Sequence, residues 1–229
     1  MTDQPRNAIP GDSTTGAESA DRWSADRHEH VLDTVPASGK EAEHASAKVA
    51  DFVAPTEDLV EDESLINGFK AAFGQHPAGI AIITVAGPEG PVGLTASSLS
   101  SISAQPPILG FSLQAKRGSA AIVADAESFL VHFLDADNID LARAFSISGA
   151  PRFGDDMPWE QLPTGEPRLL GVRRVLRAVP LARVKAGPAL VFNAAVVENV
   201  GDEGSGEPLV YHQRQFHGLS QQSVIDYQI

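Results

Sequence analysis

The sequence predicts a mainly β protein, an antiparallel barrel with a few helices packed outside it. Three observations carry that expectation. Short apolar segments rich in β-branched residues recur along the chain, among them "GIAIITV", "ILGFSL", "FLVHFL" and "ALVFNAAVV". Tight turns of Gly and Pro punctuate them, as in "GPEGP" (87–91). Few stretches show helical spacing, and those are short.

Taken in order, Ser64 stands where a helix would be capped, and Leu65, Phe69, Ala72 and Phe73 recur at helical spacing. "AGIAIITVAG" (78–87) predicts a buried strand, and the turn at 87–91 makes the strand from Val92 its antiparallel partner. "ILGFSL" (108–113) predicts another strand, "RGSAAIVADA" (117–126) a short helix and "SFLVHFLD" (128–135) a strand. "NIDLARAFS" (138–146) predicts a helix capped by Asp137 or Asn138, with Leu141 and Phe145 facing inward. Residues 150–171 hold four prolines and read as loop. "GVRRVLRAVPLARV" (171–184) predicts one or two strands interrupted at Pro180. "ALVFNAAVVENVG" (189–201) predicts a strand, and "EPLVYHQRQFHGL" (207–219) a strand with a closing turn.

Composition narrows the function classes. With 229 residues and 42% apolar content, the chain supports one domain plus a tail. It has no cysteine, which excludes disulfides, thiolate metal sites, iron–sulfur clusters and cysteine nucleophiles. No apolar run reaches the roughly 18 residues of a membrane helix. The start is neither basic nor apolar enough for a signal segment, so a cytoplasmic protein is the expectation. The formal charge of −13 is uneven: residues 1–63 carry a net −10 and residues 64–229 a net −3. Phosphate contacts need clustered Lys and Arg, so nucleic-acid binding is not expected. Residues 1–50 read as a disordered acidic tail, residues 51–63 as a linker or docking segment, and residues 64–229 as the folded domain. His28, His30 and His44 belong to the tail and read as solvated histidines rather than metal ligands.

The usual catalytic signatures are missing. There is no Gly-rich strand-to-helix phosphate turn, no Walker sequence, no Gly-x-Ser-x-Gly elbow and no zincin spacing. What stands out is "GLTASSLSSISAQPP" (93–107), in which Thr95, Ser97, Ser98, Ser101 and Ser103 lie between two apolar strands. It is either a polar surface loop or a seat for a polar ligand. The next strand is followed by Lys116, Arg117, Gly118 and Ser119 at a helix start, a combination that suits a phosphate. Together the two pieces fit a phosphorylated, planar cofactor.

In this pattern the chain resembles the flavin reductase-like family of FMN-binding split barrels, over about residues 65–219. The segments that carry the resemblance are "FKAAFGQHPAGIAIITV", "GLTASSLSSISAQPPILGFSL", "SFLVHFL" followed by "LARAFS", and "PLVYHQRQFHGL". The resemblance implies an antiparallel split β-barrel and residue roles at matching positions. Thr95, Ala96, Ser97, Ser98 and Leu99 would line the flavin ring and ribityl chain. Ser101 and Ser103 would face the phosphate side, and Lys116, Arg117 and Ser119 the phosphate or adenosine groups. Phe145 and Ser146 would close over the cofactor. Tyr211, His212, Arg214 and Phe216 would meet the nicotinamide nucleotide. Two departures stand out. Gly187-Pro188-Ala189 replaces the family's Gly-Asp-His, and His132 replaces its usual Asn. A single His between Val131 and Phe133 reads as a satisfied core residue rather than a catalyst.

The resemblance implies an NAD(P)H-dependent flavin reductase that moves a hydride from nicotinamide to FMN, or to FAD. It would supply reduced flavin to a separate monooxygenase and work as a homodimer. Such chemistry needs two stacked rings and no catalytic side chain, which agrees with the missing signatures. Two other readings remain: a flavin-binding protein or electron carrier without turnover, and a flavin-dependent oxidase of the pyridoxamine-phosphate oxidase type.

Overall fold

A computed structural model describes residues 62–114, 117–147, 149–202, 204 and 206–225. The expected tail over 1–50, most of the segment 51–63, and Lys116 lie outside the described residues. Three α-helices are present among the described residues: α1 (Glu63–Gln75), α2 (Ser119–Asp125) and α3 (Ile139–Ser146). The strands are β1 (Ala78–Gly79), β2 (Ala81–Gly87), β3 (Gly90–Ala96), β4 (Ser100–Ala104), β5 (Pro107–Leu113) and β6 (Phe129–Phe133), then β7 (Trp159–Gln161), β8 (Pro167–Leu169), β9 (Arg174–Ala186), β10 (Ala189–Asn199), β11 (Leu209–His212) and β12 (Gln215–Gly218). No helix among the described residues is long and apolar enough to cross a membrane.

Seven strands form one antiparallel sheet in the order β3-β2-β6-β9-β10-β5-β4. A three-stranded sheet β1-β11-β12 and the hairpin β7-β8 complete the set. This is the mainly β, antiparallel architecture expected from the sequence. Both faces of the large sheet are covered, which explains why β2 reads as a continuous apolar run rather than alternating. Ile83 and Val85 enter one core with Phe111, Phe129 and Phe192, whereas Ile82 enters a second core with Leu130, Phe145 and Leu169. In the first core Phe111 stacks on Phe192 at 4.7 Å between centroids, and Phe129 meets Phe111 edge-on at 5.3 Å.

The structure revises four local expectations. Asp62, not Ser64, caps α1: its carboxylate accepts the Ser64 amide at 2.8 Å, and an anion suits a helix N-terminus better than a hydroxyl. Pro180 does not interrupt β9. Pairing with β6 ends at Ala178, so beyond it β9 has only β10 beside it, and the missing N–H of Pro180 leaves no rung empty on that open side. A register irregularity between Asn193 and Ala194 absorbs the distortion, and Leu181 is turned outward. Part of the hydroxyl-rich stretch is itself a strand, β4, and the proline-rich segment contains the hairpin β7-β8.

Candidate functional site

Ser98 ties the hydroxyl stretch to the opposite side of the large sheet. Its Oγ accepts the Ser112 amide at 3.0 Å and donates to the Ser112 carbonyl at 2.9 Å. This side chain replaces a rung of sheet between the end of β3 and β5. Thr95 is likewise committed, donating to the Ala142 carbonyl of α3 at 3.3 Å. Ala96 is buried against the first core. Ser97 and Ser101 are exposed, and no partner for either hydroxyl is present among the described residues. An irregularity between Ser101 and Ser103 puts Ile102 outside the ladder, where its side chain folds over Gly110. Ser103 is thereby turned partly inward while Ser101 stays exposed.

Leu99 is half-buried and lines a cavity of about 170 Å³. The other walls come from Gly79, Ala81, Phe133, Leu209 and neighbouring residues, with Arg174 as the one charged side chain among them. Strand pairing explains why these distant segments meet. Ala96 is in register with Ala81, Ala81 with Phe133, and Phe133 with Arg174, a single row across β3, β2, β6 and β9. Residues directly opposite on antiparallel strands share a face.

The Arg117–Ser119 segment lies at the far end of β5. Arg117 is exposed, and Gly118 precedes α2 with φ +64°, a left-handed conformation that glycine adopts without strain. Arg152, which the sequence reading passed over, holds this region together. Its Nη1 donates to the Gly93 carbonyl at 2.7 Å and to Ser119 Oγ at 3.3 Å, while Nε and Nη2 donate to the Ala144 and Ile147 carbonyls. Burial lowers the Arg152 guanidinium from its ordinary value. Ser119 Oγ thus accepts from Arg152, and no acceptor for its own proton is present among the described residues.

Phe145 and Ser146 do not reach the cavity wall. The Phe145 ring is buried beneath Gly93, where even a Cβ would come within 2.5 Å of it, and it meets Phe153 edge-on. Ser146 donates to the Arg143 carbonyl at 2.8 Å. The residues from Tyr211 to Phe216 divide between two faces of the β11-β12 hairpin. Tyr211 and Phe216 pack on each other and on the second core, whereas His212 lies beside His217. Arg214 is exposed in the turn, where it and Gln213 both adopt positive φ. The Gln213 amide donates to the Gly74 carbonyl, which fastens this tip to the end of α1.

His132 is a satisfied core residue, as its apolar neighbours implied. It is fully buried, its Nε2 accepts the Leu169 amide at 3.0 Å, and its Nδ1 lies 3.3 Å from the Ile82 carbonyl. Those partners assign the neutral Nδ1–H form. Burial drives its pKa down to about 4.

Two charged features were also missed. Asp135 is fully buried and is shared by Arg173, at 2.8 Å, and Arg174. Gly206 lies flat on this group, since a Cβ there would come within 2.6 Å of both Arg173 and Asp135. The available signal was the Arg173–Arg174 pair inside an otherwise apolar strand pattern. Glu166 is the other buried acid, held by Ser128 and by Arg177 at 2.7 Å. Burial alone would raise its carboxyl, but hydrogen bonds from Ser128, Thr164 and its own backbone, with the Arg177 charge, keep it below the ordinary carboxylate value.

Comparison with known proteins bears on this arrangement. The flavin reductase like domain matches residues 73–220. An NADH:FMN oxidoreductase of Rhodococcus qingshengii is 34% identical over 154 residues, covering 65% of this chain and 79% of the relative. The reductase component of a 4-nitrophenol 4-monooxygenase/4-nitrocatechol 2-monooxygenase from Rhodococcus opacus is 30% identical, covering 65% and 78%. Among solved structures, a flavin reductase domain protein from Arthrobacter sp. FB24 superposes with a TM-score of 0.64 at 34% identity, covering 72% of this chain and 99% of the other.

Proposed function

The chain belongs to the flavin reductase like family, and from that membership we propose that it is an NAD(P)H-dependent flavin reductase whose flavin lies between the Ser97–Ser101 edge and the cavity behind Leu99. The observation that carries this reading is the meeting, at Leu99, of exposed hydroxyls and an apolar cavity. A flavin needs both: apolar walls for its ring, and donors for its ribityl chain and carbonyl edge.

The residues present fit such a group. Ser97 and Ser101 have hydroxyls to give, Leu99 and Phe133 offer apolar contact, and Arg117 with Ser119 supplies a cation and a donor for a phosphate. When bound, the flavin supplies the ring that accepts a hydride from reduced nicotinamide. The protein's part is to hold that ring, to exclude water with Leu99 and Phe133, and to keep one ring face open. No side chain is asked to act as acid, base or nucleophile. FMN is the expected flavin, with FAD as the alternative, and NADH is the expected donor. The likeness to monooxygenase reductase components supports a separate oxygenase as recipient of the reduced flavin.

The cavity is too small for a whole tricyclic ring, so part of the ring must lie over the exposed edge. A second copy of the chain would cover it there. α1 has no buried residue, and Leu65, Phe69 and Phe73 are each at least 60% exposed along one side of it. An uncovered apolar stripe of this kind supports a homodimer.

One observation favours flavin binding without turnover. Where the family carries Gly-Asp-His, a two-residue turn of Gly187 and Pro188 joins β9 to β10, with Gly187 at φ +55° and Pro188 exposed. This turn offers no imidazole to a nicotinamide nucleotide. Steady-state oxidation of NADH and of NADPH with FMN, FAD and riboflavin as acceptors separates the readings. Turnover with any flavin supports the reductase, and tight flavin binding with no turnover supports the carrier.

A further inference from the structure

We propose that Arg174 is a flavin-binding residue that meets the electron-rich edge of the ring and holds reduced flavin in preference to oxidised flavin. This rests on the flavin reading above and adds to it a residue and a discrimination between redox states.

The register row from Ala96 to Arg174 crosses four neighbouring strands, a span of about 14 Å at about 4.8 Å per strand. One end of the row adjoins Ser97 and the other end is Arg174. The cavity itself runs from Leu99 and Ala81 past Phe133 to Arg174, so a ring entering from the hydroxyl edge ends beside the guanidinium. Arg174 is suited to receive it. One amino group is fixed on Asp135, which is itself fully buried, while the side chain as a whole is 45% exposed. No other partner for its N–H groups is present among the described residues. Asp135 is also bonded to Arg173, so one buried carboxylate faces two cations. The second anion on Arg173, Asp137, is 74% exposed and screened by water. The four charges balance as a group, but the Arg174 guanidinium is the one of them that lines the cavity, so it is the charge nearest a bound ring.

Reduction by reduced nicotinamide moves two electrons and one hydrogen nucleus onto the flavin ring. The ring gains one negative charge, and the nicotinamide gains one positive charge. A fixed cation beside the ring stabilises the reduced form, and more strongly in a site of low dielectric than in water. Arg174 therefore contributes little to oxidised flavin and much to reduced flavin, which suits a protein that must keep its product until transfer.

The test is anaerobic equilibrium dialysis of the full chain against oxidised FMN and against dithionite-reduced FMN, for the parent, R174Q and R174K. Arg173 stays on Asp135 in both variants, and thermal unfolding checks their fold. R174Q is expected to lose tenfold or more in affinity for reduced FMN and threefold or less for oxidised FMN. The ratio of the two losses, at least about threefold, corresponds to a bound-flavin potential lower by about 15 mV or more. R174K, which keeps the charge, is expected to retain most of the preference. Equal losses for the two redox states, no loss, or an R174K that behaves as R174Q would overturn the assignment while leaving the flavin reading intact. A parent chain that binds FMN in neither state would end both.

Discussion

Ser98 bonds twice to the backbone of Ser112, accepting its amide proton and donating to its carbonyl. Ser97, one residue earlier, has an exposed side chain. Two adjacent serines of one motif thus have different tasks. S98A is expected to lower stability by about 1–2 kcal/mol through the lost bonds, measured by denaturant unfolding. S97A should leave stability within about 0.5 kcal/mol. Ser97→Leu should fold normally and bind FMN at least tenfold more weakly. Unchanged FMN affinity in a folded S97L chain would place the ring elsewhere.

Arg117 and Ser119 carry the phosphate expectation, together with Lys116. R117Q combined with K116Q should weaken FMN far more than riboflavin, since each charge-assisted contact is worth about 1.5–3 kcal/mol. R152K should lower FMN affinity modestly by loosening Ser119, with a smaller effect on riboflavin. Titration of both ligands against each variant decides this. Equal losses for FMN and riboflavin would remove the phosphate from this end of the barrel.

His132 gives the fold a pH dependence of its own. Its pKa falls to about 4 in the folded chain against 6.5 when free. Between those values the unfolded chain binds the extra proton, so stability falls as pH drops from 6.5 to 4, by about 3 kcal/mol in total. The lowered carboxyl of Glu166 acts mainly below this window, because its stabilisation is present above the ordinary carboxylate value and is lost under it. Unfolding midpoints from pH 7 to pH 4.5 should slope steeply in the parent and more gently in H132N. Parallel slopes would show that His132 is not the titrating group.

The apolar stripe on α1 predicts an obligate dimer, with an interface of roughly 2,000 Å² or more. F69E is expected to dissociate it and to weaken flavin binding at the same time, if the second chain covers the exposed part of the ring as proposed. Light scattering over a wide concentration range, with flavin fluorescence alongside, reads both. A monomeric F69E protein with unchanged flavin affinity would separate assembly from the site.

The architecture was legible where local pattern and tertiary context agree. β2 is apolar on both sides because each face meets a core, and the Gly-Pro turn at 87–91 fixes its pairing with β3. Legibility failed where context overrode a local rule. Pro180 would break a central strand, yet β6 ends before it. The serines of β4 look like loop, yet pairing with β5 makes them strand. For the candidate site, the hydroxyl stretch could be read from composition, but the division of labour within it could not. Ser97 and Ser98 differ only in what the fold puts beside them. Arg174 and Arg152 were passed over because strand register and a loop crossing bring them in from about 75 and 30 residues away from Leu99 and Ser119, a distance that local motifs do not span.

As a member of the flavin reductase like family, the chain is expected to reduce flavin with a nicotinamide donor, despite the Gly187–Pro188 turn. The most direct measurement is anaerobic stopped-flow mixing of the FMN-loaded protein with NADH, following the visible absorbance band of oxidised flavin. Rapid bleaching that saturates with NADH concentration, and that NADPH reproduces or fails to reproduce, is the predicted result. A bound flavin that keeps its oxidised spectrum with both donors, yet bleaches with dithionite, would contradict the claim and leave a flavin carrier in its place.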